Sequence, residues 1–132
     1  MTERYLKNIL NARVYDVAQE TPLDLARRLS GRLGNQVWMK REDLQPVFSF
    51  KLRGAYNKIA GLPDDQRERG IIAASAGNHA QGVALAANRL GIESLIVMPR
   101  TTPPIKVASV REYGSRITLH GDTYDEACQH AV

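Results

Sequence analysis

The sequence has a single cysteine, few aromatic residues and no long apolar run. Cys128 is the only cysteine in 132 residues, which excludes an internal disulfide and a metal site built from several cysteines. No stretch approaches the roughly 18 apolar residues of a transmembrane helix, and the polar start Met1-Thr2-Glu3-Arg4 lacks the apolar segment of a signal peptide. We therefore expect no membrane association and a location in the cytoplasm.

The excess of positive charge is also small. Lysine and arginine number 18 against 14 aspartates and glutamates, a net charge of +4, and aromatic residues make up 6% of the chain. Opposite charges are interspersed, as in residues 64–69 (DDQRER), whereas a nucleic-acid-binding protein usually concentrates basic residues on one face. We expect no nucleic-acid partner. The three histidines, His79, His120 and His130, lack the spacing of metal ligands, so we also expect no metal site.

What the sequence does contain is an alternation of short apolar runs with amphipathic segments. The run at residues 71–74, for example, precedes apolar residues at helical spacing from Ala80 to Leu90. This alternation is typical of βαβ units, so we predict an α/β fold with a parallel sheet of about four strands and helices on both faces. The predicted strands are 37–39, 71–74, 95–98 and 117–119, and the predicted helices are 21–33, 52–59, 80–90, 104–110 and 124–132.

We divide the chain at residue 35. Residues 1–35 are predicted to form an N-terminal arm and a helix capped by Thr21, and residues 36–132 to form the α/β domain. The last helix reaches Val132 without a glycine, proline or cap that would end it. We therefore expect the domain to be cut off in its last helix and the chain to be the front part of a longer one.

Lys51 is the first candidate for chemistry. Ser49 in the segment Phe48-Ser49-Phe50-Lys51 is a good helix N-cap, which places Lys51 in the first turn. The helix dipole disfavours a positive charge there, and the apolar neighbours also favour the neutral amine. A neutral amine forms a Schiff base with a carbonyl cofactor. The alternative is an ordinary surface lysine.

The second candidate is the turn Ser75-Ala76-Gly77-Asn78-His79, between a predicted strand and its helix. Gly77 allows a tight turn, and the helix that follows presents N–H groups without acceptors. Such a corner at the carboxyl end of a parallel strand binds a carboxylate or a phosphate. The alternative is a plain helix cap made by Ser75 or Asn78.

Together these segments resemble threonine dehydratases, pyridoxal-phosphate enzymes of the tryptophan-synthase-β fold type. Residues 37–55 (VWMKREDLQPVFSFKLRGA) are similar to the cofactor-lysine segment of that family, and residues 75–82 (SAGNHAQG) to its substrate-carboxylate loop. The resemblance runs from about Tyr5 to Val132. The form QPVFSFK is similar to the biosynthetic branch, which supplies isoleucine synthesis. Residues 1–35 would then belong to the large domain, and residues 36–132 to the small, cofactor-facing one.

The resemblance implies a role for each candidate residue. Lys51 would bind pyridoxal phosphate and act as the base on the α-proton of L-threonine. Asn78 would donate a hydrogen bond to the phenolic oxygen of the cofactor, and Phe50 would pack near its ring. Residues 75–79, namely Ser75, Ala76, Gly77, Asn78 and His79, would bind the substrate carboxylate, and the products would be 2-oxobutanoate and ammonia.

The resemblance also implies what this chain does not contain. The glycine-rich phosphate cradle of the family and the partner of the pyridine nitrogen would follow Val132, so we expect the chain alone to have little activity. Separately, we expect the full-length protein to be a homo-oligomer. Two alternatives are a non-catalytic module that binds a partner or an anionic ligand, and a serine dehydratase or racemase. Serine racemases typically carry serine at the position of Ala76, where alanine favours elimination.

Overall fold

The structure is a computed structural model that describes residues 2–132. Within these residues, seven α-helices and five strands follow one another, with 3-10 turns at Val14–Asp16 and Glu42–Leu44. The helices are α1 (Thr2–Leu10), α2 (Arg27–Leu33), α3 (Lys51–Ala60), α4 (Asp64–Glu68), α5 (Asn78–Arg89), α6 (Pro104–Glu112) and α7 (Tyr124–His130), and the strands are β1 (Leu23–Leu25), β2 (Trp38–Lys40), β3 (Ile71–Ala74), β4 (Ser94–Met98) and β5 (Arg116–Leu119).

Three of the strands form a parallel sheet in the order β3-β4-β5. Ile71 pairs with Ser94, and Leu95 pairs with Arg116, so the central strand β4 is in register with both neighbours. Parallel neighbours cannot be joined by a tight turn. Helix α5 connects β3 to β4, and α6 connects β4 to β5. The α/β class of the fold is confirmed.

Both faces of the sheet carry helices. Ile96 and Met98 on β4 are completely buried in a core with residues of α3, α5 and α6. Val97 points to the other face because side chains alternate along a strand, and it is buried although it lies outside that core. Helix α7 contacts β3 and β4 and covers this second face with the buried Ala127.

The predicted fourth strand lies elsewhere. Trp38–Lys40 pairs antiparallel with Leu23–Leu25 in a separate two-stranded sheet. The parallel sheet therefore has three strands in the described part of the chain, where we predicted about four. All three residues of β2 are exposed, and so short a run carries no pattern that indicates which partner it will pair with.

The helix predicted from Thr21 also begins later, at Arg27. The Thr21 hydroxyl donates to Glu42 Oε1 at 2.7 Å and does not cap a helix. The C=O of Pro22 accepts a hydrogen bond from the Arg41 N–H at 3.0 Å, which extends the pairing of β1 with β2. Strand β1, which pairs with β2, therefore takes the place of the first turns of the predicted helix. The helix ends as predicted at Gly34, whose φ is 60°.

The other predicted helices and strands are present within a few residues of their expected bounds. The division of the chain at residue 35 stays a prediction, although β1 and β2 pair across it. Within residues 2–132, no helix is long and apolar enough to span a membrane.

Candidate active site

Lys51 is the first residue of α3 and so lies in the first turn, as predicted, but the N-cap is Phe50 and not the predicted Ser49. The Lys51 N–H donates to the hydroxyl of Ser49 at 3.2 Å, so the serine stabilises the start of the helix. The lysine side chain is exposed, and its Nζ lies 5.5 Å from the ring centroid of Phe50. Phe50 is itself 60% exposed. The amine and the aromatic ring are therefore adjacent and accessible.

The loop before Lys51 is held by a buried glutamine. Gln45 is 1% exposed, and its side chain makes two hydrogen bonds with the backbone of Gln19, accepting from the N–H at 2.9 Å and donating to the C=O at 2.8 Å. Phe48, three residues further on, has a φ of 54°, a left-handed conformation that bulky residues rarely adopt. The chain is thus constrained immediately before the lysine.

An ion pair connects the same loop to helix α3. Arg53 donates through Nε to Glu42 Oε2 at 2.8 Å and through Nη2 to Glu42 Oε1 at 3.1 Å. The two hydrogen bonds from the guanidinium lower the pKa of Glu42 to about 2, with a smaller contribution from the Thr21 hydroxyl. Arg53 lies two residues after Lys51, so this pair anchors the first turn of α3.

The segment Ser75-Ala76-Gly77-Asn78-His79 connects β3 to α5, as predicted, and its last two residues form the start of α5. The buried Ser75 hydroxyl accepts from the N–H groups of Gly77 at 3.3 Å and Ala80 at 3.2 Å. The N–H groups of Asn78 and His79, at the start of the helix, keep no acceptor within the described residues. The N-cap of α5 is Gly77, so neither Ser75 nor Asn78 is the cap that we considered as the alternative. The Ser75 hydroxyl nevertheless satisfies the Ala80 N–H and leaves free donors at the start of the helix for an anion.

Helix α5, which begins in the turn 75–79, contacts the start of α3, which carries Lys51, at Gly82. A Cβ at this position would lie 3.2 Å from the backbone of Lys51 and Leu52, so α5 touches the first turn of α3 here. Asn78 is four residues earlier and lies on the same face of α5. Burial and the nearby positive charge of Lys51 both lower the pKa of His79. The half-buried Ala76 carries no polar group at the turn.

Lys106 also reaches this turn. Its Nζ donates to Oδ1 of Asn78 at 3.2 Å from the first turn of α6. Our sequence analysis missed Lys106, Glu42, Gln45 and Arg53, because no local pattern indicates pairings across 11 to 28 residues. The one signal available in the sequence was a lysine at an unfavourable position, since Lys106, like Lys51, lies where the helix dipole disfavours a cation.

Among the described residues, no group of three or more His, Cys, Asp or Glu could hold a metal ion.

An exposed lysine amine at the start of α3, packed next to the start of a helix that follows a parallel strand, is an arrangement suited to carbonyl-cofactor chemistry. The sequence profile of the family "Pyridoxal-phosphate dependent enzyme" matches residues 14–132. The chain belongs to this family.

Two relatives with known names have sequences similar to that of this chain. The chain is 64% identical to "Threonine dehydratase 1 biosynthetic, chloroplastic" of Solanum lycopersicum over 127 residues, which are 96% of this chain and 21% of the relative. It is 61% identical to an L-threonine dehydratase of Pasteurella multocida over 97% of this chain and 25% of the relative. The chain thus spans about a quarter of the length of these relatives or less.

Two solved structures are similar in fold to this chain. The processed form of threonine deaminase isoform 2 from Solanum lycopersicum matches with a TM-score of 0.91 and 57% identity, covering 97% of this chain and 35% of that one. Maize serine racemase matches with a TM-score of 0.87 and 34% identity, covering 95% and 39%. Both matches cover nearly the whole of this chain.

Proposed function

We propose that the protein containing this chain is a threonine dehydratase, which converts L-threonine to 2-oxobutanoate and ammonia and supplies isoleucine synthesis. One observation carries the proposal: α5 touches the backbone of Lys51 at Gly82, four residues after Asn78, and the charge of Lys51 acts on His79 in the anion-binding turn 75–79. The names of two relatives that are 64% and 61% identical to the chain support threonine as the substrate.

The side chains present fit the part of pyridoxal phosphate that would face them. Lys51 supplies an accessible primary amine for the cofactor carbonyl, and Phe50 supplies an exposed apolar ring next to it. Asn78 supplies an amide that can donate to the phenolic oxygen. When bound, the cofactor withdraws the electrons released when the substrate Cα loses its proton.

The turn would bind the substrate through its carboxylate. The N–H groups of Asn78 and His79 and the Ser75 hydroxyl are donors at the start of α5, where the helix dipole favours an anion. A carboxylate held there would direct the substrate Cα toward Lys51, whose Nζ would take the α-proton. The β-hydroxyl would then leave as water, with the proton lost from Cα making up the balance, and addition of one water to the resulting enamine would release 2-oxobutanoate and ammonia.

Ala76 supports elimination over racemisation. Racemisation requires a second acid to return a proton to the opposite side of Cα, and a methyl group cannot donate one. Maize serine racemase is nevertheless a structural relative, so serine dehydration and racemisation are the second candidate. Assays with L-serine and L-threonine separate the reactions, because racemisation releases no ammonia.

The first experiment is the mass of the native gene product, because the chain spans only about a quarter of its relatives. We expect a product well above 14.7 kDa. The purified product should form 2-oxobutanoate from L-threonine, and Lys51→Ala should abolish this activity. Lys58→Ala, which removes an exposed lysine from the same helix, is the matched control and should retain it.

Two results would contradict the proposal. If the native product is 14.7 kDa, a non-catalytic module that binds a partner or an anionic ligand becomes the better interpretation. If Lys51→Ala is as active as Lys58→Ala, Lys51 is not the catalytic base. The cytoplasmic location and the homo-oligomeric state stay predictions.

A further inference from the structure

Lys106 is a charged residue at the site that the proposed reaction does not use. It is the third residue of α6 and lies half-buried beside the first turn of α5, where its Nζ donates to Asn78 Oδ1 at 3.2 Å. Val110, four residues later on the same face of α6, is completely buried in the core. The backbone that carries Lys106 is therefore fixed by packing.

The position is electrostatically unfavourable for a lysine. The N-terminal end of a helix carries a partial positive charge, and among residues 2–132 no carboxylate lies within ion-pair distance of Lys106. The neutral amide of Asn78 is its hydrogen-bond partner in the described structure. A simple tether between two helices would be more stable with a carboxylate in place of the amide.

The hydrogen bond fixes which way the Asn78 amide faces. A lysine ammonium has three donors and no acceptor, so the amide must turn its oxygen toward Lys106. Its Nδ2 group, which carries two donors, then points away from Lys106. Rotating the amide by half a turn would bring two donors together and break the bond.

We propose that Lys106 is a positioning residue that orients Asn78 so that Nδ2 donates to the phenolic oxygen of pyridoxal phosphate. This inference rests on the proposed function. An Asn78 with the opposite orientation would present its oxygen to the phenolic oxygen, and two acceptors repel. With the cofactor bound, the ammonium would also favour the ionised form of that oxygen, because opposite charges attract.

The test is a double-mutant cycle in the full-length gene product that carries these 132 residues. The four proteins are wild type, Lys106→Met, Asn78→Ala and the double variant, and the readouts are the Kd for pyridoxal phosphate and the absorbance spectrum of the bound cofactor. We expect Lys106→Met to raise the Kd about tenfold and to shift absorbance from the band of the ionised phenolic oxygen to that of the neutral one. In the Asn78→Ala background, Lys106→Met should change the Kd less than twofold.

Two further variants separate positioning from a structural effect. Lys106→Arg keeps a cationic donor and should restore most of the wild-type affinity and spectrum. Lys58→Met removes an exposed lysine from α3 and should alter neither.

Three results would overturn the inference. An unchanged Kd and spectrum in Lys106→Met would show that the bond is only a tether between helices. An equal loss with and without Asn78 would show that Lys106 does not act through Asn78. A wild-type protein that binds no pyridoxal phosphate would overturn the proposed function itself, and the role of Lys106 with it.

Discussion

Gly82 is the residue on which the geometry of Lys51 most directly depends. An alanine there would place its Cβ 3.2 Å from the Lys51 C and O and the Leu52 N, and backbone atoms have little freedom to move. The gain in helix propensity is about 0.5–1 kcal/mol, and the cost of overpacking is about 1–3 kcal/mol. We expect Gly82→Ala to lower the free energy of unfolding by about 1 kcal/mol, as measured by urea denaturation.

Gly54 is the matched control for this prediction. It lies inside α3, and a Cβ at its position would meet nothing within 4 Å. Gly54→Ala should therefore raise the free energy of unfolding by about 0.5–1 kcal/mol. If both alanine variants were stabilised to the same extent, the close contact between α5 and α3 would be wrong.

At the scale of elements, the Glu42–Arg53 pair connects the loop after β2 to helix α3. Glu42 has a pKa of about 2 in the folded chain, well below its ordinary 4.5. A lowered pKa stabilises the fold above the unfolded-state pKa, and this stability is lost as the pH falls from about 4.5 toward 2. At pH 7, Glu42→Gln should therefore lower the free energy of unfolding by about 2 kcal/mol, and the difference from wild type should shrink progressively below pH 4.5.

Glu93 gives the comparison for an exposed pair. Its carboxylate lies 3.8 Å from Arg116, and its side chain is 86% exposed, so Glu93→Gln should change the free energy of unfolding by less than about 0.5 kcal/mol. Urea denaturation from pH 7 to pH 3 measures both variants. A Glu42→Gln difference that does not vary with pH would contradict the ion pair.

The elements that carry the two motifs were predictable because their apolar residues are periodic. Leu52, Ala55 and Ile59 are buried on one face of α3, as their spacing predicted. The errors occurred at residues 21–40, where pairing between β1 and β2 replaced a predicted helix start and removed a strand from the parallel sheet. That outcome depends on which segments meet in space. A pattern of three or four residues carries no such information.

In the candidate site, too, local features could be predicted from the sequence, whereas contacts between separate elements could not. Lys51 and the turn 75–79 were found because a helix start disfavours a lysine and attracts anions, and both features are local. The contact at Gly82 and the bond between Lys106 and Asn78 are not local, since they join separate elements. Their detection required the structure.

At the scale of the whole molecule, strand β3 has no neighbouring strand on its outer side within residues 2–132. It is the outer strand of the parallel sheet, its four residues are apolar, and Ile72 is 51% exposed. An apolar edge with free N–H and C=O groups can pair with a second copy, and a lysine blocks such pairing. We expect the isolated chain to self-associate with rising concentration and Ile72→Lys to reduce this.

The variant Ile105→Lys is the control that distinguishes pairing at the sheet edge from nonspecific hydrophobic association. Ile105 is 74% exposed at the start of α6, which is not part of a sheet and offers no strand edge. Light scattering over a concentration series should therefore show weaker association for Ile72→Lys than for Ile105→Lys. If the two lysines have equal effects, apolar area alone causes the association, because only one of them alters a sheet edge. A larger effect of Ile72→Lys would identify β3 as the surface that needs a cover in the functional protein.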